Sequence, residues 1–328
     1  MKFLIAGYGS VGRRHLRNLQ ALGERDILLL RSHRSTLPEE EISGIPVETS
    51  IEAALAHAPD AVIIANPTAL HTQVAIPAAR AGCYLLIEKP LAENMEHAQA
   101  LASALAEGGG KALVGFQFRF HPALQKAAAL LAEGAIGSIT SGRVHWGEYL
   151  PNWHPWEDYR QGYAARADLG GGVILTLCHA FDYLPWLMGE VEVLWAFSSC
   201  LGLGLDVEDT AEIGLRFRNG ATGLIHLDYV QRPPEHRLEI TGSEGMLRWD
   251  NADSTLRLFR AGVGTWETFA PPEGFERNWL FMDEMRHFLS VCRGEAEPVC
   301  PLAAGLRALE IGLRARQSAA DGLLQRIG

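Results

Sequence analysis

The sequence predicts an α/β protein whose N-terminal part is a doubly wound parallel sheet and whose C-terminal part is an α+β domain on a large, mostly antiparallel open sheet. Three observations predict it. Over the first third of the chain, short apolar runs rich in β-branched residues alternate with helical stretches, the pattern of βαβ units. Beyond about residue 120 the runs lengthen, alternate polar with apolar residues and are joined by turns, as antiparallel strands are. The length of 328 residues, at roughly 150 per domain, fits two domains, drawn here as 1–120 and 121–328.

In the first part, strands are expected at 2–6, 26–30, 61–65, 84–87 and 112–116, with a weaker one near 45–47. Helices are expected at 13–22, 51–58, 71–81 and 95–107, where apolar residues recur three and four positions apart; Gly23, Gly82 and Gly108 supply C-terminal stops. In the second part, a helix at 121–133 precedes strands at 143–149, 193–199, 211–217, 223–230, 237–241 and 246–250. Asn219-Gly220 predicts a type I′ hairpin. Two late helices, 279–292 and 302–318, are expected to cover one face of this sheet, leaving the other free for self-association as a dimer or tetramer.

Composition narrows the function. Hydrophobic residues at 48% and charged residues at 21% are the balance of a globular chain, and no apolar run approaches the ~20 residues that span a bilayer. The formal net charge of -10 at pH 7 repels phosphate backbones, so neither nucleic acid nor membrane is an expected partner. Cys83, Cys178, Cys200, Cys292 and Cys300 are widely spaced without a CxxC pair, which argues against a disulfide framework and a zinc site, and no metal is expected. The opening MKFLIAGYG lacks a signal peptide's long apolar region and cleavage site, so a cytoplasmic enzyme is expected.

Gly7-Tyr8-Gly9-Ser10-Val11-Gly12 lies between the first strand and the first helix, where a dinucleotide site needs it. Gly7 permits the tight turn, Gly9 the approach of a pyrophosphate, and Gly12 the packing of helix on strand. The helix start at Ser10 and Val11 offers free N–H groups to phosphates. At the end of the second strand, where NAD enzymes usually carry an acid, stand Arg31, Ser32 and Arg34. A guanidinium and a hydroxyl there suit a 2′-phosphate, so NADP is the expected cofactor with NAD as the alternative; a solvated arginine-rich loop is the plainer reading.

Glu88-Lys89-Pro90 ends the fourth main strand, at the carboxyl end where ligands bind in such sheets. Of four lysines, only Lys89 follows a strand end in the cofactor crevice. Near a cationic nicotinamide its ammonium is destabilised, which suits proton exchange with a substrate hydroxyl; a salt bridge to Glu88 is the structural alternative.

With these motifs, the chain resembles the Gfo/Idh/MocA oxidoreductases, a family named for glucose-fructose oxidoreductase and inositol dehydrogenase. The likeness is carried by the glycine fingerprint, Asn66-Pro67-Thr68-Ala69-Leu70-His71, Glu88-Lys89-Pro90, the stretch from Gly115 to Pro122, and Gly170-Gly171-Gly172 followed by His179 and Asp182. It implies a Rossmann domain, a nicotinamide-dependent reaction at a carbon–oxygen bond of a sugar, cyclitol or nucleotide sugar, and Lys89 with His179 as the acid/base pair. It implies also a cis Lys89-Pro90 bond, and Asn66, Pro67, His71 and Glu88 beside the nicotinamide.

From the residues alone, Thr176, His179 and Asp182 fall three apart on an expected 170–188 helix that Pro185 should kink near Phe181. A lone histidine in such a helix is ordinarily a core residue; the resemblance makes His179 catalytic. Many family members place an aspartate three or four residues before that histidine, where this chain has Leu175 and Thr176, which puts a carboxylate relay in doubt. The ring-rich segment 149–160 suits the C–H faces of a sugar, with Trp153, Tyr163, Arg166 and Thr176 as expected substrate contacts. Two other functions are compatible with these residues: a cofactor-binding, sugar-responsive regulator without catalysis, and an imine or amino-acid reductase.

Overall fold

The computed structural model describes residues 1–32 and 40–328. In chain order the first elements are β1 (Phe3–Ala6), α1 (Ser10–Ala21), β2 (Ile27–Leu30), β3 (Val47–Glu48), α2 (Ile51–Ala56), β4 (Ala61–Ile64), α3 (His71–Arg80), β5 (Tyr84–Glu88), α4 (Met95–Gly108) and β6 (Ala112–Gly115). There follow α5 (Pro122–Ala132), β7 (Ile139–Tyr149), α6 (Val173–Thr176), α7 (Ala180–Met188), β8 (Val191–Ser199), β9 (Thr210–Phe217), β10 (Thr222–Asp228) and β11 (Val230–Gly242). Last come β12 (Gly245–Asp250), β13 (Thr255–Arg260), β14 (Trp266–Phe269), α8 (Arg277–Cys292), α9 (Leu302–Asp321) and β15 (Gln325–Arg326). The chain divides into two compact units, Met1–Gln117 with Glu276–Leu306 and Phe118–Phe275 with Arg307–Gly328. The division is discontinuous where the sequence suggests one cut.

The first unit holds a six-stranded parallel sheet in the order β3-β2-β1-β4-β5-β6. Strands covered on both faces need apolar side chains at every position, and β1 (FLIA), β4 (AVII) and β6 (ALVG) are buried throughout. The strand order reverses at β1 and β4, so the crevice beyond their carboxyl ends is the switch point of the sheet. Gly7, Asn66 and Lys89 follow β1, β4 and β5 at that same end. Helix α8 corrects the expectation that both late helices cover the second sheet: it belongs to the first unit and packs on α1, with the Arg14 guanidinium 4.3 Å above the Phe281 ring. Its apolar stripe announces burial but does not name the partner.

The second unit is a nine-stranded sheet, β14-β13-β12-β11-β7-β10-β9-β8-β15, antiparallel except for the β7–β10 pair. Along β7, Val144 and Trp146 are buried while Arg143 is exposed, the two-residue alternation of a half-covered sheet. The Asn219-Gly220 hairpin forms with a different turn. Gly220 has φ +88° whereas Asn219 is not among the positive-φ residues, so the turn is not type I′. The Asn219 side chain accepts from the Ala221 N–H at 3.0 Å and closes the loop instead.

Candidate active site

The first unit builds a cofactor cradle. Gly7 has φ +96°, and a Cβ there would lie 2.7 Å from the Asn66 nitrogen. A Cβ on Gly12 would collide with the Gly7 carbonyl, so helix α1 approaches its strand only with glycine at that position. Gly9 has open space around it and heads α1 without a side-chain cap, leaving first-turn N–H groups at Ser10 and Val11 to serve an anion. The buried Oδ1 of Asn66 has no hydrogen-bond partner among the described residues, while its Nδ2 donates to the Leu70 carbonyl at 3.2 Å. Glycines shaped to backbone contact and a buried acceptor at the strand ends fit a dinucleotide.

At the ribose end the geometry departs from expectation. Arg31 is buried, its backbone N–H donates to the Glu48 carbonyl at 3.0 Å, and its guanidinium lies 5.5 Å from the Tyr8 ring. Tyr8 carries Arg13 at the same distance. Ser32 is exposed, and Arg34 lies outside the described residues.

Around the Lys89 loop, buried side chains come from four elements, α1, α3, β5 and α8. The Lys89-Pro90 peptide bond is cis. His71 is buried at the start of α3 with Nδ1 3.0 Å from the Pro90 carbonyl and Nε2 2.9 Å from the Asn66 carbonyl, so it stitches the Asn66-Pro67 loop to the Lys89 loop. Burial pushes its pKa down, against the opposing pull of those carbonyls. Glu88, also buried, lies 2.8 Å from Nε2 of His15 on α1. Burial pushes the Glu88 carboxyl up most strongly, but the His15 bond together with the charges of His15, Lys89 and His71 outweighs it and leaves Glu88 below the ordinary carboxylate value. Glu284 of α8 completes the group: its ligating oxygen, that of Glu88 and a ring nitrogen of His15 lie within 4.8 Å of one another. Sequence reasoning missed His15 and Glu284; His15, three residues beyond the glycine fingerprint, was the visible signal.

In the second unit, the glycine-led segment is not one helix. Gly170 (φ +83°) and Gly172 (φ +102°) turn the chain into α6, whose start is held by Glu208: its carbonyl accepts from Val173 N–H at 2.8 Å and its carboxylate from Ile174 N–H at 3.3 Å. The helix breaks at residues 177–179, before Pro185 rather than beside Phe181, and restarts as α7 with His179 at its N-cap. Pro185 stays inside α7, beyond its first turn, so the break does not fall at the proline. His179 is buried edge-on to Phe118 at 5.0 Å and tilted against Trp146 at 5.6 Å.

Asp182 is paired with a guanidinium. It is held in a two-pronged bond by Arg119, at 2.7 and 2.8 Å, and that guanidinium lies 4.6 Å above the Trp186 ring. Thr176 is buried beside Tyr229, whose hydroxyl donates to the Ala164 carbonyl at 3.5 Å. Trp153 meets Tyr229 edge-on at 5.8 Å, and its buried indole N–H has no partner among the described residues. Tyr163 is half-buried, whereas Arg166 is held at the surface by Asp168 at 2.9 Å. Arg119 was the residue overlooked, although it sits in the junction segment that carries the resemblance.

Comparison with known proteins bears on both halves. A model described as "Oxidoreductase family, NAD-binding Rossmann fold" matches residues 1–116, and one described as "GFO/IDH/MocA C-terminal domain" matches residues 124–248. The chain is 30% identical to the 1,5-anhydro-D-fructose reductase of Ensifer adhaerens over 80% of its own length and 78% of that protein's. It is 26% identical to the myo-inositol 2-dehydrogenase of Thermotoga maritima over 97% and 96%. Among solved structures it superposes on the WlbA dehydrogenase from Bordetella pertussis in complex with NADH and UDP-GlcNAcA, with a TM-score of 0.83, 25% identity and coverage of 100% and 99%. That bound NADH overturns the NADP preference drawn from Arg31, Ser32 and Arg34. The physical reason lies in Arg31, which is packed into the protein against Tyr8 rather than extended as a phosphate ligand.

Proposed function

Because the chain belongs to the Gfo/Idh/MocA oxidoreductase family, we propose that it uses NAD(H) to exchange a hydride with a carbinol carbon of a sugar, cyclitol or nucleotide sugar, with Lys89 and His179 handling the hydroxyl proton. The coarser statement needs no proposal: it is a dehydrogenase or reductase of CH–OH groups on small sugar-like molecules. The observation that carries the finer reading is the position of Lys89, at the carboxyl end of β5 in a sheet whose switch point carries the Gly7 to Gly12 cradle.

Gly7, Gly9, Ser10, Val11 and Gly12 would hold the cofactor's pyrophosphate by backbone N–H groups, and Asn66, Pro67, His71 and Glu88 would shape its nicotinamide end. When bound, the nicotinamide supplies the acceptor for the carbinol hydrogen and its electron pair. Lys89 Nζ, in its neutral form, takes the hydroxyl proton as the C–H bond breaks and the C=O bond forms; the reverse reaction returns it. His179, shielded by the Phe118 and Trp146 rings, is the second proton-exchanging group. Trp153, Tyr163, Arg166 and Thr176 are the proposed substrate contacts. The Trp153 indole N–H is a ready donor to a hydroxyl, and Arg166 would exchange Asp168 for a substrate group.

The test is a panel of sugars, cyclitols and nucleotide sugars with NAD, followed by absorbance at the NADH band. Turnover of at least one polyhydroxylated ring is expected. Tight NADH binding with no turnover of any of them would overturn the reading in favour of a regulator, and turnover of imines alone in favour of a reductase.

A further inference from the structure

We propose that Arg316 and Glu208 are a positioning pair for the substrate half of the site: a charged bracket that holds the Tyr163 to Arg166 stretch and the start of α6 in place. The inference rests on the reading of Tyr163, Arg166 and Thr176 as substrate contacts given above. Arg316, on α9, donates from Nε and Nη2 to Glu208 Oε1 at 2.9 and 2.8 Å, and Nη2 donates also to the Gly171 carbonyl. The same Glu208 oxygen accepts from the Ile174 N–H at 3.3 Å, and the Glu208 carbonyl accepts from the Val173 N–H at 2.8 Å. Both side chains are partly buried, where charge-assisted bonds are stronger than at an open surface. Every residue of the bracket lies in the second unit.

The glycine run is shaped to this bracket. A Cβ on Gly172 would lie 2.5 Å from both Arg316 Nη2 and Glu208 Oε1, so the pair closes directly over the backbone there. On the other side of the turn, Gly171 N–H donates to the Arg166 carbonyl and Gly172 N–H to the Ala164 carbonyl, each at 2.9 Å. Thr176 N–H returns to the Gly172 carbonyl at 3.0 Å. The backbone around all three proposed contacts is therefore tied, through the glycine turn, to one guanidinium. The pieces it ties cannot hold themselves. Tyr163–Ala165 is a single turn and α6 has 4 residues, too short for helical hydrogen bonds to offset the cost of ordering them, whereas α9 has 20 and gives Arg316 a firm mount.

Arg316→Met keeps the apolar stem and removes the bracket. Amides 171–176 should then exchange hydrogen about tenfold faster. The KM for the polyhydroxylated substrate should rise about tenfold, while the KM for NAD, whose cradle lies in the first unit, stays within about twofold. In Arg316→Ala, free guanidinium below denaturing concentrations should bring the substrate KM back down. Arg316→Lys should recover only part of the loss, because a point charge cannot serve Glu208 and Gly171 together, and it carries the same test should the methionine variant fail to fold. Unchanged exchange at 171–176, or a KM for NAD that rises with that of the substrate, overturns the proposal and leaves the reading of the substrate contacts standing. Faster exchange with an unmoved substrate KM overturns both, because the segment would be held but not used. A wild-type protein that turns over none of the panel sinks the parent reading, and this role with it.

Discussion

The buried polar groups around Lys89 and those around His179 are built on opposite principles. The first unit gathers acids: Glu88 and Glu284 share a site with His15, and one oxygen of Glu88 is hydrogen-bonded. The second unit gathers rings. Phe118 alone meets His121, Trp146, His179, Tyr183, His236 and Trp249. There the one buried carboxylate near His179 in sequence, Asp182, is held by Arg119 in a two-pronged bond. The contrast is between a buried pair of acids beside the Lys89 loop and a ring cluster whose buried carboxylate is paired with a guanidinium. The absence of an aspartate at Leu175 and Thr176 agrees with that division.

The largest effect expected from breaking the contrast is at Lys89. Lys89→Met should lower turnover about a thousandfold with NADH affinity nearly kept, because methionine retains the volume and removes only the exchangeable proton. Stopped-flow fluorescence of NADH binding and steady-state rates read the two quantities separately. His179→Asn should cost less, because Lys89 is the proposed acceptor of the hydroxyl proton, and an equal loss would put the two groups on the same footing.

Next comes the buried ion pair of the second unit, Arg119 with Asp182. Arg119→Met leaves the Asp182 carboxylate buried without its counter-ion and should destabilise the second unit by about 3–5 kcal/mol in urea unfolding. Replacing both, with Asp182→Leu, should recover most of the loss, because an apolar pair of similar volume suits that site. If the double variant is as unstable as the single one, the bridge is doing more than neutralising a charge.

Much of this was legible in the sequence, and what was not has physical causes. Parallel strands buried on both faces are continuous apolar runs, so 2–6, 61–65 and 112–116 were readable, and Lys89 stood out because lysine is scarce in this chain. The partner of α8 was unreadable because an apolar stripe says only that something covers it. Glu284 was invisible for a related reason: an acid on a helix is ordinarily solvated, and only the fold shows it facing inward. Arg119 and Asp182 are 63 residues apart, a pairing that no local pattern reports. The cofactor was misjudged because residue type at 31 was taken for side-chain direction.

Acid should move the two regions in opposite directions. His121 is buried beside Phe118 and Trp249, and burial pushes its pKa down to about 4. Its folded value lies below the unfolded value of roughly 6.5, so the folded state favours the neutral ring. Stability is whole above about pH 6.5 and is lost as pH falls toward 4, by about 3 kcal/mol in all. His121→Asn keeps an acceptor for the Ala123 N–H, which His121 Nδ1 supplies at 3.1 Å, and should flatten that loss. Glu284 has the reverse sign. Its folded value is raised above the unfolded one, so its contribution to the first unit is whole below the unfolded value of roughly 4.5 and is lost as pH climbs from there to the raised folded value. Hydrogen exchange of α8 amides against those of α5 and β7, between pH 4 and 7, checks both signs at once.

The smallest effect expected probes how far the ring cluster depends on its few hydrogen bonds. The Tyr183 hydroxyl lies 3.0 Å from His236 Nε2, and burial raises its pKa far above the ordinary phenol, so it remains a donor at every working pH. His236 in turn stacks on Trp146 with ring centroids 4.0 Å apart and nearly parallel planes, and Trp146 leans on His179. Tyr183→Phe keeps every ring contact and deletes one donor, leaving His236 Nε2 without its tyrosine partner. The loss should be about 1–2 kcal/mol, measured as a lower Tm, with the pH profile of turnover unmoved. A displaced pH profile in Tyr183→Phe would mean that proton placement on His236 reaches His179 through Trp146, and the ring cluster would then do more than pack.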